Sequence, residues 1–320
     1  MGKLFDFFTG NNLEGKGVKK NGKKEKLNFI NYFKMLWQKL NVVIIGNIIA
    51  TICNFPLIVA FVAYLGYFND VTVAPRLPIY TNIYGVISIE GINPTTSALE
   101  ALFGMSRNVS VISDITKYLF AFSFVAIFTF GFSNVGLTYL MRSCVRRNSV
   151  MSWMDFWYSV KKNWKQGLIL GILDILIIFV AIYDGMFFFA NNADFTFLML
   201  YYVILIFGLI YLMMRNYIYL ISITFNLKIT KIFNYSFRLA LLGIKRNICS
   251  LAVTLITLYI TWIIMLFSPY VGIIVPCIFT FGIICFTGTY TAYPVIEKYM
   301  IEPFYDVDVS GEEPVFIDRG

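Results

Sequence analysis

Asp174 lies in the run Gly171-Ile-Leu-Asp174-Ile-Leu-Ile-Ile-Phe179, an acid set among apolar residues on both sides. A carboxylate at the centre of a membrane helix costs about 2.5–3.5 kcal/mol on insertion scales, so it faces a bundle interior or a wet cavity. Burial favours the protonated acid, a form that donates a hydrogen bond. The chemistry on offer is a proton or solute site. The plainer account of the same acid is that neighbouring hydroxyls and amides satisfy it. We read no lysine or arginine inside an apolar segment as its partner, so polar stripes are the expected company. Asn47, Thr51 and Asn54 recur on one helical face, and Thr254 and Thr257 belong to a second stripe running from Ser250 to Thr261. Such residues also permit close helix packing, with interhelical hydrogen bonds averaging about 0.6 kcal/mol.

Composition removes other reaction classes. The 320 residues include no histidine, which excludes Ser-His-Asp and Cys-His catalysis and histidine-ligated zinc or haem. Five cysteines (Cys53, Cys144, Cys249, Cys277 and Cys285) form no CxxC pair, and in apolar surroundings cysteine behaves as a small hydrophobe. No Walker A loop, dinucleotide-binding glycine fingerprint or GxSxG elbow occurs. The expectation is a non-enzymatic chain with no metal and no cofactor.

The elements that must position Asp174 are membrane helices. Hydrophobic residues make up 58% of the chain and charged residues 14%, with a mean hydropathy of +0.72. Soluble domains have about 45–50% apolar and about 25% charged residues. A spanning helix needs about 20 apolar residues. Six segments qualify: about 41–66, 118–141, 167–190, 196–224, 248–268 and 271–293. Of the 26 lysines and arginines, nine fall in 1–40, six in 142–165, six in 215–246 and two after 293, leaving only Arg76, Arg107 and Lys117 between the first two spans. By the positive-inside rule both termini are cytoplasmic. Basic residues that flank spans favour an anionic inner leaflet over nucleic acid as their partner. The reading is a basic tail at 1–26, a membrane domain at 27–293 with an outer loop at 67–117, and an acidic tail at 294–320. In the outer loop, 79–90 is β-rich and 94–102 suggests one short helix.

The inner segments that lead into outward spans look alike. Residues 152–166 place Trp153, Phe156, Trp157, Val160 and Trp164 on one helical face, with Lys161, Lys162 and Lys165 mainly on the others. Residues 27–41 do the same with Phe29, Phe33, Leu36, Trp37 and Leu40, and residues 228–247 with Ile229, Ile232, Phe233, Ala240 and Ile244. A basic amphipathic helix beside a membrane lies in the interface, where tryptophan is also enriched. The fold expected is an all-α polytopic membrane protein: six transmembrane helices plus three amphipathic cytoplasmic interfacial helices, arranged as three parallel repeats. The strings YLMR at 139–142 and YLMMR at 211–215 suggest matching ends of the inward spans.

Three segments carry a family likeness: GKGVKKNGKK at 15–24, RSCVRRNSVMSWMDFWYSVKKNWKQG at 142–167 and YPVIEKYMIEP at 293–303. They resemble the YesL-like family of bacterial integral membrane proteins. The most specific block runs from Arg142 through Asp155 and Phe156 to Asn163, Trp164 and Lys165. The resemblance implies a bacterial plasma-membrane protein without an assigned reaction, associated with carbohydrate uptake. Its implied partners are an ABC permease, a solute-binding protein or sensor subunits. The function expected is therefore an accessory or regulatory membrane subunit, with the block's aromatic and basic residues as its docking surface. The alternative is a small-solute transporter or channel built on Asp174 and the hydroxyl-lined helices.

Overall fold

The computed structural model describes residues 28–75 and 106–302. The chain divides into two compact units, Met1–Asn54 with Ile127–Gly320, and Phe55–Ala126. In chain order the helices begin with α1 (Phe29–Gln38), α2 (Leu40–Cys53) and α3 (Phe55–Tyr64). Strands β1 (Asp70–Pro75) and β2 (Ser106–Val111) precede α4 (Asp114–Ser123) and α5 (Ala126–Val145). Then come α6 (Ser152–Lys162), α7 (Trp164–Ala190), α8 (Phe195–Thr224), α9 (Ile229–Leu242) and α10 (Ile244–Phe267). The last helix enters as α11 (Pro269–Val275), passes a π-turn at Pro276–Thr280, continues as α12 (Phe281–Ile296) and ends in a second π-turn at Glu297–Ile301.

In the smaller unit α3 packs on α4, and the two strands pair antiparallel, Asp70 opposite Val111 and Pro75 opposite Ser106. Ser113 caps α4 by accepting from the Thr116 N–H, and its hydroxyl donates to the Phe68 carbonyl. Thr116 in turn donates to Asn69 Oδ1 at 2.9 Å, tying the start of the helix to the approach to β1. The expected β-rich stretch at 79–90, the helix at 94–102 and both tails lie outside the described residues.

The larger unit repeats one device three times. A helix of 10–14 residues stops, one residue breaks the hydrogen-bond ladder, and a more apolar helix starts. The break residues share one backbone conformation: φ/ψ is −107/15 at Lys39, −114/22 at Asn163 and −90/16 at Gly243. At the first break the helices turn by 70°. Counted from each break, the residue seven before it (Tyr32, Phe156, Ser236) and four before it (Met35, Ser159, Leu239) is buried. So is the residue four after it (Val43, Gly167, Asn247) and seven after it (Gly46, Leu170, Ser250).

Each short helix packs on a long helix from elsewhere in the chain. On α12, Thr287 Oγ1 lies 2.7 Å from the Tyr32 hydroxyl of α1, whose ring also meets Phe286 and Tyr290. Phe156 of α6 fills the space over Gly136 of α5, where a Cβ would strike its ring. The elbow from α9 into α10 rests on α8, the Tyr217 hydroxyl donating to Asn247 Oδ1 while Asn247 Nδ2 donates to the Ala240 carbonyl.

The long helices then meet at close quarters. A Cβ on Gly131 of α5 would collide with the Gly167 carbonyl and the Gly171 Cα of α7; one on Gly282 of α12 would collide with the Val43 carbonyl and Asn47 of α2. Only glycine lets two helix backbones approach so closely. At the α2–α12 contact the π-turn frees backbone groups that an α-helix would pair. Asn47 takes up two of them, its Nδ2 donating to the Pro276 carbonyl at 2.9 Å and its Oδ1 accepting from the Gly282 N–H at 2.6 Å. Thr51 donates to the Cys277 carbonyl at 3.2 Å.

The six expected spans are met in part. Four helices are long and apolar enough to cross a membrane: Trp164–Ala190, Phe195–Thr224, Ile244–Phe267 and Val271–Ile301. Counting Phe29–Gln38 with Leu40–Cys53, and Asp114–Ser123 with Ala126–Val145, raises the number to six. The segment expected as one span at 41–66 is two helices, because the ladder breaks at Asn54 ahead of Pro56. The strings YLMR and YLMMR do not occupy matching places. Arg142 is three residues from the end of α5, whereas Arg215 is nine residues from the end of α8.

Leaving a buried donor or acceptor unpaired costs about 1–3 kcal/mol. Asn47→Leu orphans two backbone groups, so thermal unfolding in detergent should show it as less stable than the parent by about 2–5 kcal/mol, with Thr51→Val losing less. An unchanged midpoint for Asn47→Leu would show that the π-turn needs no repair.

Candidate functional site

Asp174 is ten residues into α7, and Arg215 stands nine residues before the end of α8. At 1.5 Å per residue these positions are about 15 Å and about 14 Å from the adjoining helix ends. Antiparallel neighbours with matching offsets place the two charges level with each other. Arg215 Nε donates to Asp174 Oδ2 at 2.8 Å. The Tyr219 hydroxyl donates to the same oxygen at 2.7 Å, and the Tyr211 hydroxyl to Oδ1 at 2.8 Å. Tyr211, Arg215 and Tyr219 are four residues apart, so one face of α8 supplies all three donors.

The third element is α5. Asn134 turns its Nδ2 to the Phe130 carbonyl of its own helix, at 2.8 Å, which leaves Oδ1 to accept from Arg215 Nη2 at 2.9 Å. The guanidinium also lies over the rings of Phe130 and Tyr219, 5.6 and 5.4 Å from their centroids. The Gly131–Gly171 contact brings Asn134 within reach, since it draws α5 against α7 one turn below Asp174. Asp174 is 2% exposed on its side chain and Arg215 24%.

This arrangement corrects two expectations. The partner of Asp174 is an arginine inside a long apolar helix, and the carboxylate accepts hydrogen bonds instead of donating one. By sequence Arg215 groups with the inner-loop charges, because basic residues commonly close an inward span. The signal that separates it is the 30-residue length of α8, together with tyrosines four residues to either side.

The polar stripes are bonded elsewhere. Asn47 and Thr51 serve the π-turn, and Asn54 Nδ2 donates to Ser133 Oγ at 2.6 Å. Thr257 donates back to the Val253 carbonyl, and Thr261 bridges to Thr280 at 3.0 Å, while Thr254 is half-buried on the same helix. None of Asn47, Thr51, Asn54, Thr254 and Thr257 is bonded to Asp174 among the described residues. No group of His, Cys, Asp and Glu among the described residues could hold a metal ion.

The expected docking block separates into two sets. Arg142 is buried, its Nη1 donating to Thr224 Oγ1 at 3.1 Å and to the Ile223 carbonyl at 3.4 Å, where a cation complements a helix C-terminus. Phe156 is wholly buried, and Asn163 Nδ2 donates to the Ser159 carbonyl at the end of α6. Asp155 Oδ2 accepts the Met151 N–H at the start of α6. Burial raises the Asp155 carboxyl above its usual range, and that N–H pulls the other way. The exposed set is Trp37, Trp153, Lys161, Lys162, Trp164 and Lys165. Trp157, half-buried, meets Trp153 edge to face at 5.9 Å, and Lys165 lies over the Trp164 ring. The apolar face expected over 152–166 is thus divided, because Phe156 and Val160 of α6 turn inward with Ser152 and Ser159, while Trp153 of α6 and Trp164 at the start of α7 turn out. On α1 likewise Tyr32 and Met35 are buried, and Phe29, Phe33 and Trp37 are exposed.

The DUF624 family, described as a protein of unknown function, matches residues 114–185. YesL proteins belong to DUF624. The DUF624 segment takes in α4, α5, α6 and most of α7. It therefore includes Gly131, Asn134, Gly171 and Asp174, and stops short of Arg215. No curated protein and no solved structure matches the chain.

Removing one member of a buried ion pair costs about 3–5 kcal/mol, whereas replacing both by apolar residues of similar size is often neutral. Asp174→Leu and Arg215→Met should each lower the unfolding midpoint in nanodiscs sharply, and the double variant should regain most of the loss. Additive losses in the double variant would show that the two groups act independently.

Proposed function

We propose that this chain is a non-enzymatic accessory or regulatory membrane protein that works through its short helices. The observation that carries the reading is the second, unburied aromatic face of those helices. Trp37 is 79% exposed and Trp153 61%, each on a helix that also carries exposed lysines and whose opposite face is buried in the core. An open apolar groove at the α1–α2 elbow, lined by Phe33, Lys34, Leu36, Trp37, Gln38 and Leu40, continues that face. Aromatic and basic groups mixed in this way suit the headgroup boundary of an anionic leaflet. In this reading the membrane is the bacterial plasma membrane, there are six spans, and both termini are cytoplasmic.

Three parallel repeats belong to the same proposal. Each repeat has a short helix, a long outward helix and a returning helix. The matching breaks at Lys39, Asn163 and Gly243 support it. So does the cyclic order of the packing, α1 on α12, α6 on α2 and α5, and α9 on α8, in which each short helix rests on the repeat before it. Gly131 and Gly282 add a further correspondence, since each lies against the residues four and eight after a break. The axis relating such repeats runs along the membrane normal.

Carbohydrate uptake enters through the YesL-like resemblance, and the partners it suggests are an ABC permease, a solute-binding protein or sensor subunits. If the exposed aromatic face docks one of them, Trp37→Ser with Trp153→Ser should cut recovery of co-purified permease or sensor subunits at least tenfold from native membranes. The membrane level of the variant should be unaltered. Full recovery would reduce the face to a lipid anchor.

A small-solute transporter is the second reading, favoured by an ion pair at membrane depth. It requires that Asp174→Asn, reconstituted in liposomes, lose solute flux while keeping its fold; normal flux would remove it.

A further inference from the structure

In the α7–α8 hairpin the buried part stops at one level. In α7 the buried residues are Gly167, Leu170, Gly171 and Asp174, and in α8 they begin at Tyr217. Between them, from Ile175 around the hairpin to Asn216, no residue is buried. Asp174 and Arg215 therefore sit where packed core gives way to open helix surface, with Arg215 on the open side. Its Nε and Nη2 are engaged by Asp174 and Asn134, while Nη1 makes no hydrogen bond among the described residues. A guanidinium with an unused donor at this depth has no bulk water to complete it. The side chains bonded to the pair on its open side, Asn134 and Tyr211, are themselves only half-buried.

We infer that Arg215 Nη1, with Asn134 and Tyr211, forms the floor of a binding site for a small uncharged solute rich in hydroxyl groups, entered from the open ends of α7 and α8. Charge decides the class. Arg215 and Asp174 already cancel, so an anion leaves the site with a net negative charge out of water and a cation leaves a net positive one; either carries the desolvation cost of an uncompensated charge. A hydroxyl-bearing solute adds no charge. Its oxygens accept from Nη1, its hydroxyls donate to the remaining lone pairs of Asn134 Oδ1 and the Tyr211 oxygen, and its apolar face lies along the Phe130 ring. The three helices that meet here include a pair held by Gly131 and Gly171, and ligand sites in membrane bundles built from repeats lie at such mid-depth junctions. The inference does not depend on the accessory reading, which partner recovery tests separately.

The experiment is ligand-dependent thermal unfolding of the full chain in nanodiscs. The probes are glycerol, glucose and maltose, with inorganic phosphate and choline as charged counterparts. Polyols stabilise most proteins without saturation, by exclusion from the surface, so the comparison is with Arg215→Lys. That variant keeps a cation for Asp174 and loses the fork that holds Nη1. The expected result is a saturable rise in midpoint with at least one of the three polyols, its apparent dissociation constant weakened at least tenfold in Arg215→Lys. Tyr211→Phe, which leaves the ion pair in place, should weaken it in the same direction. Saturable stabilisation by phosphate or choline instead would overturn the inference. So would polyol responses that never saturate, or that are identical in the parent and in Tyr211→Phe.

Discussion

A carboxylate and a guanidinium withdrawn from water must answer each other, and most of the larger unit is arranged around that requirement. Asp174 receives three donors from one face of α8, and Asn134 on α5 takes part of what remains of Arg215. Each of these bonds needs the helices at a fixed distance and rotation. Lateral distance is set where Gly131 meets Gly171, because no side chain separates the two backbones. Rotation is set by the elbow at Asn163, which fixes α6 on α5 through Phe156 and so aims the first turns of α7. The charged pair is thus a consequence of packing as much as a cause of it. Its removal in halves is costly because the surviving charge keeps its burial and loses its partner.

The same logic of satisfying every polar group governs the α2–α12 contact with different means. There a π-turn at Pro276 releases backbone groups, and a single amide, Asn47, accepts one N–H and donates to one carbonyl. At the corresponding place after the second break stands Gly171, where two regular helices touch and nothing needs repair. One geometry is thus reached twice with unlike residues. What recurs is which positions are buried and where the ladder breaks. A glycine, an asparagine and a lysine all serve as the break because each adopts the same φ and ψ.

Much of this was legible in the sequence. Apolar runs of membrane length, the three short helices and the prominence of Asp174 followed from periodicity and from the cost of burying charge. Arg215 did not, because a basic residue near the inner end of a span ordinarily belongs to the interface and is counted there, although the apolar segment at 196–224 already runs nine residues past it. Asn47 and Thr51 are polar at helical spacing, which a lined pathway and a repaired π-turn satisfy equally; the positions of Pro276 and Gly282 separate them. The buried and exposed faces of α6 were also beyond reach, since Phe156 and Trp153 are alike in composition and differ only in which one finds Gly136.

The dependence of this bundle on the Asp174–Arg215 contact is best tested in a bilayer. Solid-state NMR on chain reconstituted in lipid, with 13C at aspartate Cγ and 15N at arginine Nε, measures that contact without altering it. The account predicts dipolar transfer between Asp174 Cγ and Arg215 Nε at a separation consistent with the 2.8 Å hydrogen bond, lost on Arg215→Lys. Absence of transfer in a folded sample, with Arg215 correlating to water instead, would contradict it.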